Sequence, residues 1–127
     1  MGPLYRPALK KDYVNQATKR TVKYLAVCHN SRIQREVLRA APDGVYKSIC
    51  NALFNIAENP DINIPKQHRT NLRKHQTLIK KLIAPKLPLP HKRKIIQRGG
   101  GVFLAALLPV VLSTALSYLG SAFIKSQ

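Results

Sequence analysis

Residues 62–98 carry eleven Lys or Arg side chains and no acidic side chain, and this run of like charge strongly constrains the fold. Like charges repel one another, so these side chains must stay in water or meet a polyanion. The five acidic residues all lie within residues 1–61, and residues 99–124 carry no charged side chain. The sequence therefore predicts a mixed domain, a basic segment and an apolar tail in series.

The chain of 127 residues has room for one small core, and its formal net charge is +17. An excess of this size is not neutralised within the chain, so we expect a polyanionic partner: DNA, RNA or anionic lipid. The alternative is a basic surface of the ribosomal type, or one that serves solubility alone.

Apolar side chains recur at helical spacing through residues 13–84, and no long stretch alternates as a strand does. We therefore predict an all-α fold with about four helices in this domain, after a flexible N-terminus of residues 1–12. The first helix spans residues 13–28, and its apolar positions are Val14, Ala17, Val22, Leu25 and Cys28.

Capping residues mark the next two helices, because a short side-chain oxygen can accept hydrogen bonds from the free amides of a first turn. Asn30 or Ser31 caps the second helix, whose apolar positions are Ile33, Val37 and Ala41. Asp43 caps the third helix, which ends at Asn59–Pro60 and has an apolar stripe of Val45, Ile49, Ala52, Leu53 and Ile56. This third helix is the best candidate for the centre of the core.

The fourth helix is predicted from Pro65 to about Ile83, because proline at the first helical position lacks only an amide that would be unpaired there. The prolines of APKLPLP, residues 84–90, then favour a semi-rigid extended spacer. We predict a Pro-rich and then basic linker over residues 85–98 and a domain boundary there.

The basic segment is the candidate nucleic-acid site, with binding driven by release of counterions from the phosphates. Residues 62–98 contain no Phe, Tyr or Trp for base stacking, so sequence specificity is not expected. The alternative is a solvated basic face without a partner, and HKRK at 91–94 also fits a nuclear localisation signal. The predicted contacts are Lys66, Arg69, Arg73, Lys74, Lys80, Lys81, Lys86, Lys92, Arg93, Lys94 and Arg98.

The tail from Val102 to Ile124 has no charged residue and would be about 34 Å long as one helix, enough to span a bilayer. Pro109 predicts a kink, and a small hydroxylated face suits self-association through Ser113, Thr114, Ser117 and Ser121. The alternative is a tail packed against a capsid shell or an oligomeric partner. The predicted membrane contacts are Val102, Phe103, Leu104, Leu107, Leu108, Val110, Val111, Leu112, Leu116, Leu119, Phe123 and Ile124.

Other chemistry is not expected. The spacing suggests no Ser/His/Asp or Cys/His set and no cofactor loop, so we predict a non-enzyme without cofactor. His68 and His75 share a helix face, but no Cys or carboxylate nearby completes a zinc set, and we predict no metal site. Cys28 and Cys50 are expected to be buried as small apolar residues.

Three blocks in this order carry a family resemblance: GVYKSICNALFNIAEN at 44–59, INIPKQHRTNLRKHQTLIKKL at 62–82 and HKRKIIQRGGGVFLAALLPVV at 91–111. The chain from about Ser31 to Gly120 resembles a small basic protein of Maverick/Polinton elements and animal adintoviruses. That protein is viewed as a virion core or minor capsid protein comparable to adenovirus core peptide mu. The resemblance implies a virus-like element that packages double-stranded DNA.

Gly99, Gly100 and Gly101 predict a hinge before the tail. The resemblance also implies an adenovirus-type protease, which prefers an aliphatic residue a few positions before a Gly-Gly or Gly-x cut. A cut after Gly100 would place Gln97 at the fourth position upstream, which departs from that pattern.

The leading hypothesis is a non-enzymatic virion protein that condenses double-stranded DNA and whose tail anchors to a capsid shell or perturbs a membrane. It would lie in the virion and in the host nucleus or cytoplasm, or at a membrane. The alternatives are a tail-anchored membrane protein held to anionic lipid by its cations, and a basic scaffold protein.

Overall fold

The computed structural model describes residues 16–59, 61–98, 106–120 and 122–124, and within these ranges it contains seven α-helices and no strand. The all-α fold class is therefore confirmed. The helices are α1 at 16–27, α2 at Ser31–Ala40, α3 at Asp43–Glu58, α4 at Lys66–Lys74, α5 at Gln76–Ile83, α6 at Leu89–Gln97 and α7 at Leu108–Leu119.

The first helix has the apolar face that its spacing predicted, with one exception. Val22, Leu25 and Cys28 are buried, whereas Ala17 is exposed and the neighbouring Thr18 is buried instead. The predicted start of this helix, including Val14, lies outside the described residues. Cys28 and Cys50 are both buried free thiols, as predicted.

Helix α2 begins at a side-chain cap and buries part of the predicted face, because Ala41 is buried and Val37 is half-buried against the core. The side-chain oxygen of Asn30 accepts a hydrogen bond from the amide of Ile33 at 3.1 Å, so Asn30 and not Ser31 is the cap. Ile33 is 42% exposed, whereas Gln34 and Leu38 are fully buried. Gln34 can enter the interior because its amide nitrogen donates to the carbonyl of Cys28 at 2.5 Å.

Helix α3 lies at the centre and packs against α5, α6 and α7. Its predicted stripe is confirmed, with Ile56 half-buried and the other members buried: Val45, Ile49, Ala52 and Leu53. The predicted cap is wrong, because Pro42 precedes the helix and the Asp43 side chain makes no capping hydrogen bond. Asp43 instead forms an ion pair with Arg93 of α6.

The single fourth helix predicted from Pro65 to Ile83 is two helices, interrupted at His75. The backbone of His75 has φ −103° and ψ 20°, outside the α-helical region. Its amide is shared between the carbonyls of Asn71 and Leu72, each at 3.2 Å, and α5 then starts with Gln76. Pro65 precedes α4 as its cap residue.

The basic linker predicted over residues 85–98 is also corrected. Residues 84–88 form a short turn, and α6 follows from Leu89 with Ile96 buried in the core. The sequence APKLPLP predicted an extended spacer, but Pro90 lies in the first turn of α6. Proline is tolerated there because the amide that it lacks has no partner within the helix.

The tail supplies a core helix. Leu108, Val111, Leu112 and Ala115 are at most 2% exposed and belong to the core cluster, and α7 packs against α3. Pro109, at which a kink was predicted, lies in the first turn of α7. The helix ends at Gly120, whose φ of +61° is a conformation that favours glycine.

Hydrogen bonds attach the tail to three other parts of the fold. Ser113 Oγ donates to the carbonyl of Ala26 in α1 at 2.7 Å. Asn51 Nδ2 of α3 donates to the carbonyl of Phe123 at 2.9 Å, and the side chain of Phe123 is buried. The Tyr118 hydroxyl accepts the amide proton of Asn63 at 3.4 Å. None of the helices in the described ranges is long and apolar enough to cross a membrane.

The buried position of α7 predicts the effect of a truncation within it. Leu112→Ala should lower the free energy of unfolding by about 2–5 kcal/mol, because it removes buried methyl groups and leaves a cavity. Ser117→Ala on the exposed side of the same helix should change it by less than about 0.5 kcal/mol. Urea denaturation followed by circular dichroism measures both, and equal stability of the two variants would place α7 outside the core.

Candidate nucleic-acid interface

Helices α4, α5 and α6 hold the cations that were predicted to contact nucleic acid. Lys92 and Arg93 are half-buried, and the other nine are exposed. We call these nine the basic surface: Lys66, Arg69, Arg73, Lys74, Lys80, Lys81, Lys86, Lys94 and Arg98. Because α4 packs on α5 and α5 packs on α6, the outer faces of the three helices are neighbours.

Helix α4 gathers three of its cations on one side. His68 and Leu72 face inward and are half-buried, whereas Lys66, Arg69 and Arg73 are exposed. At 3.6 residues per turn, positions three and seven residues after Lys66 lie on the same stripe and span about 10 Å. A stripe of this kind can follow a phosphate backbone.

Helix α5 continues the same arrangement. Ile79 and Leu82 are buried, and the intervening Lys80 and Lys81 are exposed on the outer side. Lys86 is exposed in the turn before α6. The apolar side of α5 therefore fixes the helix on α3 while its lysines remain in water.

Arg93 has a structural role that connects helices. Its guanidinium pairs with Asp43 and lies 4.6 Å from the centre of the Tyr46 ring. Gln97 Nε2 donates to the hydroxyl of Tyr46 at 2.8 Å, and that hydroxyl donates in turn to the carbonyl of Leu38. Arg93 and Gln97 thus attach α6 to α3 and α2. The predicted contact of Arg93 with nucleic acid stays a prediction.

The same network affects the ionisation of Tyr46. Burial raises the pKa of the Tyr46 hydroxyl above its ordinary value, while the hydrogen bond from Gln97 and the charge of Arg93 lower the pKa in part. Tyr46 is therefore neutral at physiological pH, so its hydroxyl can donate to Leu38 and accept from Gln97.

Most of the predicted contacts have no internal partner. Arg69 donates to the carbonyl of Ile64 at 3.0 Å and so also holds the connector before α4. Apart from Arg69 and Arg93, no side chain of the eleven makes a hydrogen bond or ion pair with another residue in the described ranges: Lys66, Arg73, Lys74, Lys80, Lys81, Lys86, Lys92, Lys94 and Arg98. The charge of the basic surface is therefore left for solvent or a partner.

Sequence reasoning missed cations outside residues 62–98. Arg32, Arg35 and Arg39 are exposed on α2, and their spacing of three and four residues places them on one face. Arg39 pairs with Glu36 at 3.0 Å. This spacing is present in the sequence, but Glu36 lies among the three arginines, whereas residues 62–98 contain no acidic residue.

The predicted membrane contacts lie largely inside the fold. Leu107, Leu108, Val111, Leu112 and Phe123 are buried, and the half-buried ones are Val110, Leu116, Leu119 and Ile124. The remaining predicted contacts, Val102, Phe103 and Leu104, lie outside the described residues, as does the hinge at 99–101. In this fold most of these described side chains pack in or against the hydrophobic core, and their contact with a bilayer stays a prediction.

The predicted self-association face is divided. Ser113 is hydrogen-bonded to α1, Thr114 is half-buried and Ser117 is exposed, while Ser121 lies outside the described residues. As for a metal, no group of three or more His, Cys, Asp or Glu side chains that could hold an ion occurs in the part of the chain described.

Comparison of the chain with protein-family models, with curated proteins and with solved structures found no match. Its function is therefore inferred from the charge, burial and contacts of its own residues.

The different surroundings of Arg93 and Lys94 predict different effects on stability. Arg93→Ala should lower the free energy of unfolding by about 1 kcal/mol, because both the partly exposed ion pair and the contact with the Tyr46 ring are lost. Lys94→Ala should change it by less than about 0.5 kcal/mol, because Lys94 is exposed. Urea titrations of the two variants test this, and a stability loss for Lys94→Ala as large as for Arg93→Ala would refute the structural role.

Proposed function

We propose that this chain is a non-enzymatic protein that binds double-stranded DNA without sequence specificity through its basic surface. The observation that supports the proposal is that nine exposed cations on α4, α5, α6 and the residues that adjoin them have no acidic partner in the described structure. A polyanion neutralises such a surface and releases its own counterions on binding.

The composition of the basic surface favours phosphate contacts over base contacts. Six of its nine members are lysines, which act as flexible point charges rather than as rigid forks for a base edge. Contacts to phosphates position a protein on the duplex but carry no sequence information. A protein that packages DNA must bind any sequence, and contacts to phosphates meet this requirement.

The resemblance to the basic virion proteins of Maverick/Polinton elements supports a virion as the setting. An anchoring contact with a capsid shell would use the outer side of α7, where Tyr118 is 51% exposed. The alternative of a tail-anchored protein held to anionic lipid is less favoured, because the apolar side chains that it needs lie in the core.

DNA binding by the full chain should depend steeply on salt. If six to eight phosphates are neutralised, log K should fall against log salt with a slope of about −5 to −7, and duplexes of unrelated sequence should bind alike. Lys80→Gln with Lys81→Gln should make the slope shallower by about 2, because two phosphate contacts are lost. Fluorescence anisotropy over a series of salt concentrations measures these slopes.

The matched control removes two positive charges elsewhere. Arg20→Gln with Lys23→Gln on α1 changes two exposed cations outside the basic surface and should leave the slope nearly unchanged. Binding that does not respond to salt, or the same change in slope for both double variants, would reject the basic surface as the DNA contact. Tighter binding to anionic vesicles than to DNA would favour the lipid alternative.

A further inference from the structure

A cavity of about 430 Å³ lies between α3, α5 and α6. Small-molecule sites occupy about 300–1,000 Å³, so the cavity is large enough for a compact ligand. Helix α3 forms one wall of the cavity with residues at helical spacing, and α5 and α6 form the opposite wall. The lining residues include Lys47, Cys50, Phe54, Leu82, Leu89 and Lys92. We call it the α3–α5–α6 cavity.

The charged groups that line this cavity are both positive. Lys47 is exposed and Lys92 is half-buried, and neither forms a hydrogen bond or ion pair with another residue of the described chain. Burial raises the pKa of the Cys50 thiol in the cavity wall to about 11, and the positive charge of Lys92 lowers this pKa in part. The cavity therefore favours a negatively charged ligand.

Phe54 gives the cavity an aromatic surface. This side chain is 46% exposed, although a Phe ring is stabilised by burial. Phe54 lies on α3, outside the basic run of residues 62–98, which contains no aromatic residue. The other apolar residues of the cavity, such as Leu82 and Leu89, complete a surface against which a flat ring can pack.

The cavity and the basic surface share two helices. Lys80 and Lys81 lie on α5 and Lys94 lies on α6, and these two helices also contribute Leu82, Leu89 and Lys92 to the cavity. A strand that binds the basic surface would therefore contact the same two helices. A bare phosphate would leave the Phe54 ring uncovered, and an uncharged apolar ligand would leave Lys47 and Lys92 unpaired. A nucleotide can cover Phe54 with its base and pair with the two lysines through its phosphates.

We propose that the α3–α5–α6 cavity binds one unpaired nucleobase, with the ring stacked on Phe54 and the flanking phosphates held by Lys47 and Lys92. The inference rests on the proposed function and deepens it, because it adds recognition of single-stranded or locally opened nucleic acid. Stacking on an aromatic ring tolerates any base, so the site remains independent of sequence. A paired base inside a duplex cannot enter.

Substitutions of Phe54 in the full chain test this site. Because the chain contains no Trp, Phe54→Trp places its one tryptophan at the cavity, and this side chain can be excited at wavelengths that the five tyrosines do not absorb. A single-stranded oligonucleotide should quench its fluorescence by stacking, while a duplex of the same length should bind without that quenching. Phe54→Ala should weaken single-strand binding by about 5- to 100-fold and leave duplex binding unchanged.

Tyr24→Ala is the matched control, because Tyr24 is 45% exposed on α1, away from the cavity, and its loss should change neither affinity. Thermal melting checks that each variant is folded. If duplex binding keeps its salt dependence but Phe54→Ala leaves single-strand binding intact, the cavity inference is overturned and the proposed function stands. If neither nucleic acid binds, both are overturned. Quenching of Phe54→Trp by anionic lipid vesicles and not by single strands would overturn the nucleobase assignment.

Discussion

Helices α3 and α7 bury their apolar faces against each other, and the remaining helices add side chains to the same core. Ile49 and Leu53 of α3 and Val111 and Leu112 of α7 are among the most buried residues of the protein. Apolar burial is the main favourable contribution to folding, and in a chain of net charge +17 it must also offset repulsion among the cations. The apolar surface that α7 buries therefore helps to offset the repulsion among the basic side chains on the protein surface.

The segregation of charge and apolar surface connects the fold with the proposed function. Arg93 is the exception among the cations of α6, since its pairing with Asp43 and its contact with Tyr46 attach this helix to the core. The basic surface, by contrast, repels itself until a polyanion covers it. A ligand that binds only the folded state stabilises that state, so under the proposed function DNA binding and folding would be coupled.

The sequence was sufficient for the fold class and for the central helix, because the stripe through Ile49 and Leu53 has a clear helical period. It was not sufficient for the tail, because an apolar helix in a core and one in a membrane have the same composition. A span of more than 20 residues was expected, whereas α7 has 12 residues, a length typical of buried helices.

The interruption at His75 and the burial of Gln34 depend on hydrogen bonds that spacing alone does not reveal. Phe54 became part of a candidate site only through the packing of α3 on α5 and α6.

Native-state hydrogen exchange of the full chain tests the central claim, that one cooperative core including α7 supports the basic surface. The amides of Leu112 and Ala115 in α7 should exchange as slowly as those of Ile49 and Leu53 in α3, because all four should exchange only through global unfolding. Fast exchange of the α7 amides beside protected α3 amides would contradict the account, since the tail would then be a separate segment rather than part of the core.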